Sequence, residues 1–435
     1  MPRKPAHPPL NVFLNNRLVG RLRRQANGAV DFQYDAEWLA WEYAMPVSYS
    51  LPLREDRYVG APVIAVFDNL LPDNREIRSR VAARMGAGGT DAYSLLSAVG
   101  RDCVGALQFL PEDEEPNALD EIRGEELSEH AIAEILANLK DAPLGLEKDR
   151  DFRISIAGAQ EKTAFTRWEG KWLLPHGTTP TTHILKPQIG ELPNGIDLTN
   201  SVENEYLCME ICRNLGLPTA ECEIARFEGK SVLVVERFDR EIDGSRILRL
   251  PQEDCCQALS VPPDIKYQSD GGPSMFDILT FLQGSDTPAE DQEKFLKTNI
   301  LFWLLGATDG HAKNFSLALG TGGRFSLTPL YDVLTAEPSF AEGKIPMNKY
   351  RLAMSVGKNH HYRFDEIMPR HFIQTAKRAD IGEDMARTII ADLASATPDV
   401  LDQTFANLPE DFPVELLEGL EPGLRKRLAL LDKLD

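Results

Sequence analysis

Residues 302–319 read FWLLGATDGHAKNFSLAL. An apolar run stops at a small residue, Asp309, Gly310, His311, Ala312, Lys313 and Asn314 follow, and an apolar run resumes. An acid, an imidazole, a cation and an amide between two stretches that favour burial are costly unless they face a cleft. Asp309 and Asn314 have the D-x-x-x-x-N spacing of a phosphoryl-transfer loop. There the carboxylate meets the attacking hydroxyl and the amide oxygen reaches a magnesium ion. Taken alone, Asp-Gly is also a common turn, so the loop needs companions.

Companions lie on both sides. RFSLTPLYDVLTA (324–336) alternates and then presents Asp332, a second acid for a hard, oxygen-liking metal. Upstream, HILK places Lys186 at the end of an apolar strand, in the manner of the phosphate-directed lysine of V-A-I-K. SIAGAQEK (155–162) offers backbone N–H groups around Gly158 for phosphates, although it has one glycine where a full G-x-G-x-x-G has three. VVERFDR (234–240) falls where a hinge between lobes belongs, with backbone groups from Glu236 to Phe238 available to an adenine edge. The order of these features along the chain predicts a kinase-type nucleotide fold.

The chain has 435 residues, more than one core usually serves. With 43% hydrophobic and 26% charged residues it reads as a soluble globular protein. It has no uninterrupted apolar stretch of the length that crosses a bilayer. MPRKPAHPPLNVFL is positively charged but lacks an apolar core, so no signal peptide is expected. The six cysteines form no C-x-x-C pair, which predicts reduced thiols, a cytoplasmic location and no zinc site. A net charge of −20 argues against a surface that binds nucleic acid by itself, since phosphate contacts need Lys and Arg.

Periodicity sets the organisation. NVFLNNRLVGRL predicts a hairpin turning at Asn15-Asn16, and VIAVFDNLLPDNREIRSRVAARM predicts a break followed by a helix. Residues 1–110 read as a small α+β domain, and 111–150 as an acidic linker leading into a solvent-faced helix. Residues 151–272 read as a mixed-sheet nucleotide-binding lobe, with a helix over NSVENEYLCMEICRNLGL closed by Gly216 and a hairpin about Gly229. Residues 273–435 read as an all-helical catalytic lobe. The expected class is α+β: a two-lobed, protein-kinase-like fold behind a small front domain.

Several long stretches resemble the HipA family, serine/threonine-kinase toxins of bacterial toxin–antitoxin pairs. They are DFRISIAGAQEKTA, TTPTTHILKP, VERFDR, LPQEDCCQALSVPPDIKYQSDGGP, GATDGHAKNFS and LTPLYDV, together with FDNLLPDN and LLSAVGRDCVGALQF at the front. The resemblance runs nearly end to end; MPRKPAHPPL and PSFAEGKIPMNKYR lie outside it. It implies ATP and magnesium as cofactors and a helix-turn-helix antitoxin, HipB-like, as partner. It implies contact with operator DNA through that antitoxin, and an aminoacyl-tRNA synthetase, mainly the glutamyl enzyme, as substrate. By motif, Asp309 resembles the family's catalytic base, Asn314 and Asp332 its magnesium ligands, and Lys186 its phosphate-contacting lysine. Further nucleotide contacts are implied at Ser155, Ile156, Ala157, Gly158, Ala159, Gln160, Glu236, Phe238, His311 and Tyr331. Ser155 matches the serine at which family members phosphorylate themselves.

Two other readings remain open at this point. Asp309, His311 and Asn314 also fit the D-x-H-x-x-N loop of phosphoinositide kinases, although the acidic charge disfavours a membrane docking face. A kinase-shaped, catalytically silent corepressor is the other, against which the intact acidic set argues.

Overall fold

Asn15 and Asn16 turn the chain with φ of 43° and 66°, the left-handed pair that a two-residue hairpin demands. The turn joins Leu10–Leu14 to Arg17–Arg24, and the predicted hairpin is present. The structure, a computed structural model, describes residues 7–192 and 196–433. Residues 1–6 of the stretch read for a leader, and Leu434 at the end of the last helical segment, lie outside the described residues. The chain forms two discontinuous compact units. One comprises residues 1–187, 225–264 and 317–325, and the other 188–224, 265–316 and 326–435.

The two largest sheets of the described residues lie mainly in the first unit. The front sheet runs Tyr58–Val59, Val30–Tyr34, Arg17–Arg24, Leu10–Leu14, Leu107–Pro111, each neighbour antiparallel. Beside it the helix Arg75–Met85 starts at Asn74, whose side chain accepts from the N–H groups of Glu76 and Ile77, and ends at Gly86 with φ of 68°. The second sheet runs Cys222–Phe227, Lys230–Glu236, His183–Pro187, Thr163–Trp168, Lys171–Pro175, Gly124–Glu126. Its hairpin at Glu228-Gly229 turns with φ of 49° and 76°, as Gly229 predicts. The acidic stretch 111–150 is therefore more than a linker, because Gly124–Glu126 pairs antiparallel with Lys171–Pro175 as an edge strand. One hydrophobic core serves both sheets, from Phe32, Phe67 and Phe109 to Phe152, Ile154, Phe165 and Val234.

The second unit is mainly helical, with Ser201–Asn214, Met275–Leu282, Pro288–Leu305, Pro369–Arg378, Glu383–Ala406 and Val414–Leu431. The expectation that everything after 273 is helical is corrected here. Ser316–Leu319, Phe325–Leu327, Arg351–Val356 and His361–Arg363 are strands. Segments of three to six residues are too short to display a period against long helical neighbours. Cys208 and Cys212 share the buried face of Ser201–Asn214, and all six cysteines are free thiols. Among the described residues no helix is long and apolar enough to cross a membrane.

Candidate active site

The helix Pro288–Leu305 ends at Gly306, whose φ of 73° turns the chain out of the helix. A Cβ there would stand 2.2 Å from the Tyr350 hydroxyl, so the turn is packed as well as left-handed. Gly310 has a different reason: its Cβ would lie 2.2 Å from the Phe302 ring, so only glycine lets the loop cross that ring. Between them Asp309 projects, with 61% of its side chain exposed. The loop then tightens through His311 N–H on the Asp309 carbonyl (2.8 Å) and Asn314 N–H on the His311 carbonyl (2.9 Å).

Asp309 Oδ1 accepts a hydrogen bond from the Tyr267 hydroxyl. His311 Nε2 stands 3.9 Å from the same oxygen, and its buried ring meets the Tyr267 ring edge-on at 4.9 Å. Asn314 is buried, and its Nδ2 reaches Asp332 Oδ2 at 3.4 Å. Asp332 follows no strand directly; it sits in the left-handed region at φ of 62°, which Asp tolerates better than most residues. Tyr331 ties the two segments together: its hydroxyl donates to the Lys313 carbonyl (2.8 Å) and shares a 2.6 Å hydrogen bond with Ser316 Oγ. Asp309, His311, Asn314, Tyr331 and Asp332 therefore form one linked set within the second unit.

The oxygens of this set suit a magnesium ion. The buried Asn314 Oδ1 accepts no hydrogen bond among the described residues, an arrangement that costs free energy unless a cation or donor meets it. Beside it is a carboxylate, and both are hard oxygen donors. The residues fit the ion.

The remaining expected residues lie in the first unit. Ser155 is fully buried, and its hydroxyl donates to the Leu70 carbonyl at 2.8 Å while its N–H meets the Asp102 carbonyl at 2.9 Å. Gly158, at φ of 109°, bridges to Pro72, and its carbonyl accepts from Asp73 N–H at 2.9 Å. Residues 152–162 thus form no strand; they run along the front domain by isolated contacts. Ile156 is buried, Ala157, Gly158 and Gln160 are half-buried, and Ala159 is exposed. Lys162 Nζ folds back onto the Ala157 carbonyl at 2.8 Å, where a Cβ on Gly158 would stand 2.5 Å from it. Gln160 Nε2 reaches the Pro187 carbonyl at 3.2 Å, linking this loop to the strand His183–Pro187 that carries the buried Lys186.

Glu236, exposed, ends the strand Lys230–Glu236, and Phe238 is half-buried. Their neighbours point elsewhere. Arg237 N–H already meets the Thr182 carbonyl at 2.9 Å, which narrows what this backbone has free for a base. The Arg237 and Asp239 side chains enter a fully buried ion cluster with Asp102, Arg240 and Arg249. Burial pushes the Asp102 carboxyl up, but Arg240, Arg249 and Arg237 outweigh burial and hold it below the usual range. Burial and the nearby Arg237 bring the Arg240 guanidinium down to about 10.

Sequence reasoning missed this cluster, because Asp102 and Arg237 are 135 positions apart and each looks like a surface charge in its own neighbourhood. It also missed Tyr267 and Lys162, although KYQ and QEK lie inside stretches quoted for the resemblance. The bonds of Tyr331 to the loop assign it a fastening role that its position before the acid did not suggest.

Residues 10–110 match the HipA N-terminal domain, and residues 154–401 match the HipA-like C-terminal domain. The chain belongs to the HipA family. The protein Y4mE of Sinorhizobium fredii is 35% identical over 399 residues, covering 90% of each chain. The serine/threonine-protein kinase toxin HipA of Shewanella oneidensis is 26% identical over 346 residues, covering 75% of each. The solved structure of the Shewanella oneidensis HipA, HipB and operator DNA complex matches with a TM-score of 0.80 at 22% identity. That match covers 98% of this chain and 99% of the other, and it establishes the shared HipA fold.

Proposed function

We propose that this chain is an ATP- and magnesium-dependent serine/threonine protein kinase and the toxin of a toxin–antitoxin pair. The observation that carries the reading is the approach of Asn314 to Asp332 at 3.4 Å in the loop system that projects Asp309. Asp309 orients the acceptor hydroxyl and takes up its proton. Lys186 offsets charge on the phosphates, and the backbone near Gly158 and Glu236 to Phe238 serves the rest of the nucleotide. Asn314 and Asp332 would hold magnesium, which would supply positive charge to offset that on the transferred group.

The substrate we favour is an aminoacyl-tRNA synthetase of the glutamyl type, whose inactivation halts translation and favours persistence. The partner we favour is a HipB-like helix-turn-helix antitoxin, through which the chain reaches operator DNA as corepressor in the cytoplasm. Family membership supports this, and so does a net charge of −20, which leaves phosphate binding to a more basic partner.

Self-phosphorylation at Ser155 also belongs to this reading. Its hydroxyl is buried against Leu70, so the 154–158 stretch has to leave residues 70–73 and Asp102 before a phosphoryl group can reach it. A phosphate adding roughly −1.5 to −2 charges then prevents re-docking, which makes a self-limiting switch.

The test incubates the purified chain with ATP, magnesium and bacterial lysate, or with lipid vesicles. A new phosphoprotein supports the reading. Phosphorylated lipid would support the phosphoinositide-type alternative, and no ATP turnover would support the silent corepressor.

A further inference from the structure

Asp309 is the most exposed member of its set, and an exposed carboxylate on a loop samples several rotamers. A base that must meet a hydroxyl needs one. The Tyr267 hydroxyl supplies a fixed donor to Asp309 Oδ1, and Tyr267 is itself tightly held. Its ring lies edge-on against the buried His311 ring at 4.9 Å. Its carbonyl accepts from Asp270 N–H at 3.0 Å and from Gly272 N–H at 2.9 Å. The next residue, Gln268, is clamped in both directions: its Oε1 accepts from Ser355 N–H at 2.7 Å and its Nε2 donates to Ser355 Oγ at 3.0 Å. Gly271, at φ of 100°, and Gly272, whose Cβ would stand 2.3 Å from the Ile265 carbonyl, close the turn that makes this platform.

We propose that Tyr267 is a positioning residue for phosphoryl transfer, holding Oδ1 of Asp309 so that the carboxylate keeps one orientation toward the acceptor hydroxyl. The inference rests on the kinase reading and adds a residue to it. A carboxylate has about four lone-pair sites on its two oxygens, so the bond that Tyr267 gives to Oδ1 orients the group without using up its capacity to take the acceptor's proton. The rigid bracket on Ser355 argues for a fixed post, because a mobile cover would not be tied to a strand by two side-chain hydrogen bonds. The strand Arg351–Val356 thereby acts on Asp309 through Gln268 and Tyr267.

Tyr267→Phe keeps the ring against His311 and deletes only the hydroxyl. Phosphate release from ATP, and transfer of labelled γ-phosphate into lysate protein, are measured with the full chain, alongside affinity for a non-hydrolysable ATP analogue and the unfolding midpoint. The expected result is a fall in kcat of about 10- to 100-fold, the range for a lost hydrogen bond to a charged group. KM for ATP, analogue affinity and midpoint should stay within about twofold or a few degrees of wild type. Gln268→Ala, which touches neither Asp309 nor nucleotide, should give a smaller loss with the same split. It also serves as the reading if Tyr267→Phe folds poorly. Wild-type kcat in Tyr267→Phe, or losses that appear in KM and stability instead, would overturn the positioning role while leaving the kinase reading intact. A wild-type chain that turns over no ATP would overturn the kinase reading itself.

Discussion

Asn314 Nδ2 and Asp332 Oδ2 stand 3.4 Å apart although eighteen positions separate them in the chain. The loop after Gly306 and the left-handed turn at Asp332 are brought together by the hydroxyl of Tyr331, which bonds to Lys313 and Ser316. One amide and one carboxylate thus offer hard oxygens side by side, and the amide oxygen accepts no hydrogen bond among the described residues.

Asp332→Asn should keep the fold, because Asn accepts a left-handed φ as readily as Asp. It removes the charge that attracts a divalent ion. Manganese binding, followed by the paramagnetic signal of the free ion in the presence of ATP, should weaken at least tenfold. Asn314→Ala should weaken it as well. Unchanged binding in both variants would place the ion elsewhere.

Ser155→Glu should disturb the first unit, because the hydroxyl it replaces is fully buried on the Leu70 carbonyl and a carboxylate cannot be solvated there. A loss of about 2–4 kcal/mol is expected, or release of the 154–158 stretch. Limited proteolysis should then cut near residues 155–162, where the wild type resists. Ser155→Ala should be near neutral by the same assay.

Asp102 answers three guanidiniums, those of Arg237, Arg240 and Arg249. Asp102→Ala leaves Asp239 as the one carboxylate of the cluster against three buried guanidiniums, so denaturant unfolding should show a loss of about 3–5 kcal/mol. A loss under about 1 kcal/mol would mean that water or relaxation replaces the pairing. The cluster joins front-domain chemistry to the VERFDR segment, so the variant should also loosen the 154–158 stretch, whose Ser155 N–H bonds to the Asp102 carbonyl.

Glu253 gives the pH dependence. Burial pushes its carboxyl up to about 8 from 4.5, against the opposing pull of Ser48 and of the Tyr49 N–H. Between about pH 4.5 and about 8 the folded protein keeps a proton that the unfolded chain has released. This contribution is therefore fully present below about pH 4.5 and is lost as pH rises through that window, by up to about 1.4 kcal/mol per pH unit. Glu253→Gln should flatten this slope and stabilise the protein at pH 8, measured by unfolding midpoints across the range. A slope identical to wild type would contradict the assignment.

The local features were legible because each has a short-range cause. Asn15-Asn16 and Glu228-Gly229 force left-handed turns, Asn74 caps its helix, and Gly216 and Gly306 end theirs. The spacing of Asp309, Asn314 and Asp332 points to one cleft, and the structure bonds Asn314 to Asp332 and Asp309 to Tyr267. What was not legible depends on distant partners. Nothing near Asp102 announces Arg237, and nothing near Gly124 announces its pairing with Pro175. Nor does KYQSDGGP state that its tyrosine ends on Asp309. Ser155 was read as part of an open phosphate loop; its side chain is instead buried on the front domain, a fact carried by Leu70 and not by its neighbours.

The central claim is transfer of the γ-phosphoryl group from ATP to a hydroxyl with Asp309 as the base, and the most direct measurement compares wild type with Asp309→Asn. Each is incubated with γ-labelled ATP, magnesium and lysate, with circular dichroism confirming equal folding. The account predicts label on protein with the wild type and a loss of at least about 10³-fold with Asp309→Asn. Equal labelling by a folded Asp309→Asn chain would contradict it.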